Sequence, residues 1–264
     1  MSTDDQSMMR LYCHPASSAS MRVMLYLALR GVPAHVVRQV HTGLETDHRG
    51  IMVFTLPRSE PEFDRLGTSD LSALNREGRI PILLFADGRM LTQSGAMTDF
   101  FEETLDVGTP PAYPSDPWAR AQARRLMSII ASDTQPYQNI PFIIQAMSEW
   151  GMVTATPTEH PLRLHFIRRE FGAIDAILPQ CAGTFAVGVQ PSPADRFLVP
   201  QIRNALLAGI DLESEFPRLA AVWRNAIALP RFARVIAEAG GVVQPLAYDE
   251  QTFEVHATNL PPRD

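Results

Sequence analysis

The stretch that decides the fold is residues 14–31, "HPASSASMRVMLYLALRG". It follows a short apolar segment, Leu11-Tyr12-Cys13, and continues as an apolar helical run that ends at Gly31. Where a strand passes directly into a helix, the unpaired N–H groups of the helix start favour an anion at that end. Ser17 and Ser18 stand at this junction. The sequence therefore indicates either a simple helix cap or an anion-binding site.

Composition and charge exclude several classes of protein. The chain has 264 residues, enough for two domains with real cores, and its 45% hydrophobic and 20% charged content is that of a globular protein. A net charge of −6 without a basic stripe argues against a nucleic-acid partner. Two cysteines predict no disulfide framework and suit a reducing cytoplasm. We expect no signal peptide, no membrane segment and, from the scattered histidines, no metal site.

The first hundred residues alternate between strand and helix signals. After the helix at 18–30 come a strand, "AHVVRQV", and a long polar segment from His41 to Asp70 that contains the apolar island "GIMVFTL". Asp87-Gly88 inside "IPILLFADGRML" is a strong hairpin signal, and a helix, "SGAMTDFFEETL", follows. This order predicts a small α/β domain.

Beyond residue 105 the pattern changes. The proline-rich segment "DVGTPPAYPSDP" predicts a linker, and five amphipathic helical runs follow it. One of them opens with Ser192 and Asp195, the S-x-x-D pattern of a capping box. We predict an N-terminal domain at 8–105, a linker at 106–116, an all-helical domain at 117–241 and an extended tail at 242–264.

Several motifs in this order resemble the glutathione transferase family, and within it the zeta class of maleylacetoacetate and maleylpyruvate isomerases. The motifs are "SSASMRV" at 17–23, "ALN" at 73–75, "RIPIL" at 79–83, "QSGAM" at 93–97, "TQPYQN" at 134–139 and "ADRFLVPQIRNA" at 194–205. The resemblance covers about residues 10 to 245. It implies a thioredoxin-like α/β N-terminal domain, an all-α C-terminal helical bundle, a homodimer and glutathione as cofactor.

The resemblance also implies roles for individual residues. Ser17 would donate to the glutathione sulfur, with Ser18 and Ala19 in support, and a lowered thiol pKa at a helix N-terminus fits that role. The remaining residues implied for glutathione binding are Ile80 with a cis Pro81, Gln93 and Ser94 at a helix start, and Gln135 and Asn139. Taken without the resemblance, Ser94 is an ordinary cap and the last two are surface polar residues.

Departures from the zeta pattern bear on the substrate. The class usually has Arg before the serine pair and Cys as the third motif residue, where this chain has Ala16 and Ala19. Some maleylpyruvate isomerases carry arginines where this chain has Ile140 and Pro141. Met21 is soft and adapts to apolar shapes. Arg168 and Arg169 could restore the missing charge, although adjacent arginines more often lie on a solvated helix face.

Three functions remain open on this evidence. The first is glutathione-dependent cis–trans isomerisation of a conjugated enone or enol acid, with a substrate larger or more apolar than maleylacetoacetate and a place in secondary metabolism. The second is a glutathione transferase or dehalogenase that consumes glutathione on a hydrophobic electrophile. The third is a non-catalytic binding protein with the transferase fold. Four residues argue against it: Ser17, Pro81, Gln93 and Ser94.

Overall fold

The structure of the protein is a computed structural model that describes residues 9–46, 52–150, 159–181, 183–239, 247–248 and 255–256. It divides into two compact units. The first is formed by the described residues of Met1–Pro111 and Ile140–Met152, and the second by those of Ala112–Asn139 and Val153–Asp264. The sequence instead predicts that residues 140–152 belong to the helical domain at 117–241. The domain boundaries at 105 and 117 stay predictions.

A four-stranded sheet forms the centre of the first unit. Its strands are β1 (Met9–Cys13), β2 (Val37–His41), β5 (Ile82–Leu84) and β6 (Met90–Thr92). β1 runs parallel to β2 and antiparallel to β5, and β5 and β6 form the hairpin that Asp87-Gly88 predicted. The helices of this unit are α1 (Ser18–Arg30), α2 (Pro61–Leu66), α3 (Ser94–Thr104) and α6 (Ile140–Trp150). The predicted thioredoxin-like domain is confirmed.

Helix α1 has both ends where the sequence predicts them. Ser17 is the N-cap, and its side chain accepts the N–H of Ser20. Gly31 has a φ of 65° and ends the helix in the left-handed conformation that glycine adopts without steric cost. All residues from 20 to 27 are buried, so α1 is covered on more than one face. The helix is thus an interior element that holds its N-terminus at a defined place.

The polar segment from His41 to Asp70 is more ordered than the sequence predicts. It contains an antiparallel ribbon of two strands, β3 (Gly43–Thr46) and β4 (Met52–Thr55). β4 is the apolar island of the sequence analysis. Phe54 of this strand packs against a buried cluster that includes Tyr12 of β1. The ribbon is therefore joined to the core of the first unit by apolar contact.

A buried ionic network connects the start of α2 to the sheet. Glu62 accepts two hydrogen bonds from Arg10, both of 2.7 Å, and a third from the hydroxyl of Tyr12. The neighbouring Glu60 accepts two more from Arg38, of 3.1 and 2.6 Å. Burial raises the pKa of Tyr12, and the contact with Glu62 raises it further. The network connects the polar segment at 41–70 to β1 and β2.

Acid should weaken this network. Burial by itself raises the pKa of Glu62, but the hydrogen bonds from Tyr12 and Arg10 outweigh it and hold that pKa below its usual value. The stabilisation is therefore complete above the unfolded-state value of about 4.3 and is lost as the pH falls through the folded-state pKa. We expect Glu62→Gln to lower the free energy of unfolding by about 2–3 kcal/mol at neutral pH.

Urea unfolding between pH 3 and 7 measures this effect, and Asp64→Asn, an exposed carboxylate on the same helix, is the control. The control should change stability by less than about 0.5 kcal/mol. A Glu62→Gln protein with the same acid dependence as the unmodified protein would show that other carboxylates carry it.

The second unit consists mainly of helices, as predicted. They are α4 (Pro117–Ser128), α5 (Gln135–Gln138), α7 (Pro161–Ile177), α8 (Pro193–Leu207), α9 (Leu212–Glu215), α10 (Pro217–Ile227) and α11 (Pro230–Glu238). In the predicted tail, the described residues Ala247–Tyr248 (β7) and Val255–His256 (β8) are extended and pair antiparallel. The rest of the tail lies outside the described residues.

A π-helical segment, Ile129–Thr134, separates α4 from α5, where the sequence predicts a regular helix. Pro136 explains it, because a proline lacks the N–H and its ring clashes with the carbonyl four residues earlier. A wider turn removes that clash. The buried Thr134 hydroxyl donates to the carbonyl of Ile129 at 3.2 Å, five residues back. Such turns often occur at functional sites, and this one ends directly before Gln135.

Candidate active site

Ser17 closes a tight turn between β1 and α1. Its N–H donates to the carbonyl of His14 at 2.9 Å, and its Oγ accepts the N–H of Ser20 at 3.3 Å. Because the oxygen acts as acceptor in the cap, the hydroxyl proton can be donated to a ligand. Ser18 is the first helical residue, and both serines are half-buried. Ser17 can therefore cap the helix and donate to an anion in the same conformation.

The Ile80-Pro81 peptide bond is cis, as the resemblance predicts. Both residues are buried and lead directly into β5. Tyr12 near the end of β1 pairs with Ile82 at the beginning of the antiparallel β5. The register therefore brings the cis bond to the same edge of the sheet as the Ser17 turn.

Gln93 and Ser94 come to this edge as well, because Thr92 at the end of β6 also pairs with Ile82. Gln93 has a φ of 69° and is the one non-glycine residue with positive φ in the described part of the chain. Backbone held in this strained region is common at ligand sites. Ser94 begins α3 and is 6% exposed. The N-termini of α1 and α3 thus lie at one edge of the sheet, and two such termini suit a ligand with more than one negative charge.

Arg22 adds a buried cation to this arrangement. It lies one turn into α1, is 2% exposed, and its Nη1 donates to Ser94 Oγ at 3.5 Å. Burial lowers the pKa of Arg22 to about 9, which leaves the guanidinium charged at neutral pH. The contact connects the two helix starts. Because Arg22 donates to Ser94 Oγ, the hydroxyl proton of Ser94 is left available for a ligand carboxylate.

In the second unit, the predicted Gln135 begins α5 and is half-buried, and Asn139 follows α5 and is exposed. The sequence did not single out Gln138, which is buried between them. Its backbone carbonyl accepts Arg163 Nε at 2.9 Å, and its side chain donates to Gln201. Helical spacing from Gln135 and Asn139 could have indicated that Gln138 faces inward. Binding of glutathione by Gln135 and Asn139 stays a prediction.

The residues proposed for substrate contact differ in exposure. Ala16 and Pro141 are exposed, and Ala19 and Ile140 are half-buried. Met21 is 1% exposed, so the structure gives it a packing role in the core of the first unit. The wall beside Ser17 therefore has small apolar groups at positions 16 and 19 and no charge there.

Arg168 and Arg169 line a groove of about 590 Å³ on α7, together with Pro161, Leu164 and His165. Each arginine already has a carboxylate partner. Arg168 donates to Glu215 at 2.6 and 3.1 Å, and Arg169 donates to Glu170 at 2.6 Å. The two arginines that could have compensated for Ala16 and Ala19 are thus paired with carboxylates of the second unit.

Two further findings concern metals and membranes. Within the described ranges, no three or more His, Cys, Asp or Glu side chains are grouped so that they could hold a metal ion. No helix among the same residues is long and apolar enough to cross a bilayer.

The fold and these paired helix starts define a class of glutathione-binding enzyme, and comparisons with known proteins agree. Residues 16–104 match the family model "Glutathione S-transferase, N-terminal domain". The chain is 31% identical to mouse maleylacetoacetate isomerase over 222 residues, which cover 84% of this chain and 89% of that protein.

Solved structures give the same result. Maleylacetoacetate isomerase from Methylobacterium extorquens AM1, with malonate and glutathione bound, superposes with a TM-score of 0.70 at 26% identity, over 88% of this chain and 98% of that one. A zeta-class bacterial maleylpyruvate isomerase gives a TM-score of 0.68 at 25% identity, over 89% and 98%. The chain belongs to the glutathione transferase family, in its zeta class of glutathione-dependent enzymes.

Proposed function

We propose that the protein is a glutathione-dependent cis–trans isomerase. The observation that carries the proposal is the meeting of Ser17, the cis bond before Pro81, and Ser94 at one sheet edge, beneath two helix N-termini. Glutathione has two carboxylates and a thiol, and this set of donors fits it. The curated relative and both solved structures described above are isomerases by name.

Each residue has a distinct part in the proposed mechanism. When bound, glutathione supplies a thiolate that adds reversibly to an activated double bond, so that the bond can rotate before the thiolate leaves. The Ser17 hydroxyl and the N–H groups at the start of α1 stabilise negative charge on the sulfur. The buried Ser94, oriented by Arg22, and the N–H groups of α3 hold a carboxylate. The backbone at Ile80 holds the middle of the tripeptide.

We further propose that the substrate is larger and less acidic than maleylacetoacetate, such as an intermediate of secondary metabolism. A small dicarboxylate needs charge partners in a desolvated pocket, since an unpaired buried charge costs several kcal/mol. The structure has no charged side chain at positions 16 and 19, and the arginines on α7 already have partners. Neither Cys13 nor Cys181 is in a disulfide, which suits a cytoplasmic location. The family also supports a homodimer.

Steady-state rates with added glutathione test the proposal. We expect an apolar cis-enone to be converted to its trans isomer with total glutathione unchanged. Its kcat/KM should exceed that for maleylpyruvate or maleylacetoacetate by at least about ten-fold, because burying one unpaired carboxylate costs more than the 1.4 kcal/mol of that ratio. The control replaces glutathione with S-methyl glutathione, which lacks the thiol.

Each contrary outcome identifies an alternative. Consumption of glutathione in proportion to product would identify a transferase or dehalogenase. Turnover of maleylpyruvate or maleylacetoacetate at a rate equal to or above that of the apolar enone would overturn the proposal of an apolar substrate. Binding of glutathione without turnover of any electrophile would favour the non-catalytic reading.

A further inference from the structure

His14 lies in the turn that carries Ser17 and makes two hydrogen bonds there. Its carbonyl accepts the Ser17 N–H at 2.9 Å, and its ring Nδ1 accepts the Ala16 N–H at 3.1 Å. Both amides belong to the turn that aims the Ser17 side chain. An Nδ1 that accepts a hydrogen bond carries no proton, so this contact assigns the neutral tautomer with its proton on Nε2.

The β3–β4 ribbon contacts the His14 imidazole from another side. Phe54 on β4 contacts the His14 ring with centroids 5.5 Å apart and planes tilted by 44°. Phe54 also packs on the buried cluster of the first unit, so its own position is constrained. The polar segment between β2 and α2 thus reaches the loop before the serine pair.

The surroundings of His14 favour its neutral form. Burial lowers its pKa, and the charge that His41 carries when protonated lowers it further. His41 ends β2 beside Cys13, and the contact that β4 makes with this imidazole is the uncharged ring of Phe54. The bond to Ala16 therefore persists to a lower pH than an ordinary histidine would allow.

We propose that His14 is a positioning residue: held by Phe54, its neutral imidazole fixes the turn that directs the Ser17 hydroxyl at the sulfur of bound glutathione. The inference rests on the proposed function and deepens it. Zeta-class proteins usually have Arg where this chain has Ala16, and here the loop is held by a ring contact and a neutral hydrogen bond. The polar segment at 41–70 thereby acts on the thiolate site through Phe54.

Two substitutions separate the two contacts. His14→Asn loses the ring but keeps an acceptor, because asparagine readily accepts the N–H two residues ahead. His14→Phe keeps a ring against Phe54 but has no acceptor. His35→Ala, which removes an exposed histidine of the same unit, is the control. Thermal melts of all three variants show whether each one folds.

The measurements are the pKa of the bound glutathione thiol, from thiolate absorbance, and the pH profile of kcat/KM. We expect His14→Phe to raise the thiol pKa and to lower kcat/KM about two- to ten-fold, the effect of one neutral hydrogen bond. His14→Asn, which keeps the acceptor but loses the contact with Phe54, should raise the thiol pKa by less than His14→Phe does at neutral pH. In acid both proteins lose activity as the bound thiol is protonated, but protonation of His14, with a pKa below the usual value of about 6.5, should add a second loss to the unmodified protein that His14→Asn lacks.

A folded His14→Phe with an unchanged thiol pKa would overturn the inference, as would an acid profile of kcat/KM that is equally steep in His14→Asn and in the unmodified protein. These outcomes differ from failure of the proposed function. If the unmodified protein does not lower the thiol pKa of bound glutathione at all, both proposals fail together. If the unmodified protein lowers the thiol pKa and the His14 variants lower it by the same amount, only the proposal for His14 fails.

Discussion

In Ser17→Ala, the thiol of bound glutathione is expected to have a pKa about one to two units higher than in the unmodified protein. The Ser17 hydroxyl is free to donate while its oxygen accepts the Ser20 N–H, and a hydrogen bond to a charged acceptor is worth about 1.5–3 kcal/mol. Less thiolate at neutral pH should lower kcat/KM about ten- to hundred-fold. Titration of thiolate absorbance in the glutathione complex measures the shift.

The cap role of Ser17 requires a matched variant. Alanine at an N-cap costs about 0.5–2 kcal/mol of stability, whereas glycine costs only a few tenths. Ser17→Gly and Ser17→Ala should therefore share the thiol pKa shift and differ in the free energy of unfolding. Ser18→Ala should shift the thiol less. Equal shifts at the two serines would show that the role is not specific to Ser17.

Asp195→Ala is expected to lower the free energy of unfolding by about 3–5 kcal/mol. Asp195 is 0% exposed, and its carboxylate accepts the N–H of Ala186 at 2.8 Å, the N–H of Ser192 at 2.7 Å and the Ser192 hydroxyl at 2.9 Å. Alanine would leave three buried donors without their acceptor. Urea unfolding followed by circular dichroism measures the loss.

Asp211→Ala provides the control, because Asp211 caps α9 from the surface with one bond of 3.2 Å to the Ser214 N–H. It should cost about 1 kcal/mol, the usual value of an exposed cap. Asp195→Asn keeps acceptor capacity and should fall between the two. A loss at Asp195 no larger than that at Asp211 would mean that the buried donors find other acceptors.

Local signals predicted much of the fold. Ser17 and Gly31 bound α1, Asp87-Gly88 closes the hairpin, and Ser192 with Asp195 opens α8. In each case the residues that determine the structure are within a few positions of one another. The order of six short motifs predicted the family, and the resemblance to that family predicted the cis bond before Pro81. Both predictions therefore rest on the sequence alone.

Contacts between distant residues were not predictable in the same way. Gly43–Thr46 shows no strand pattern and forms β3 only because it pairs with β4. Glu62 is charged and reads as a surface residue, yet Arg10 and Tyr12 from β1 make it a buried ion. The partners of Arg168 and Arg169 likewise could not be read from two adjacent charges.

The sequence by itself determined which chemistry the site can have: a hydroxyl at the start of α1, another at the start of α3, and a proline before β5. Only the tertiary structure decided that these three share one edge of the sheet, because the pairing of Ile82 with both Tyr12 and Thr92 aligns the strand ends. It alone also placed Phe54 against His14. Helix caps are determined by residues a few positions apart in the sequence. Strand register and ring contacts depend instead on how the whole core packs.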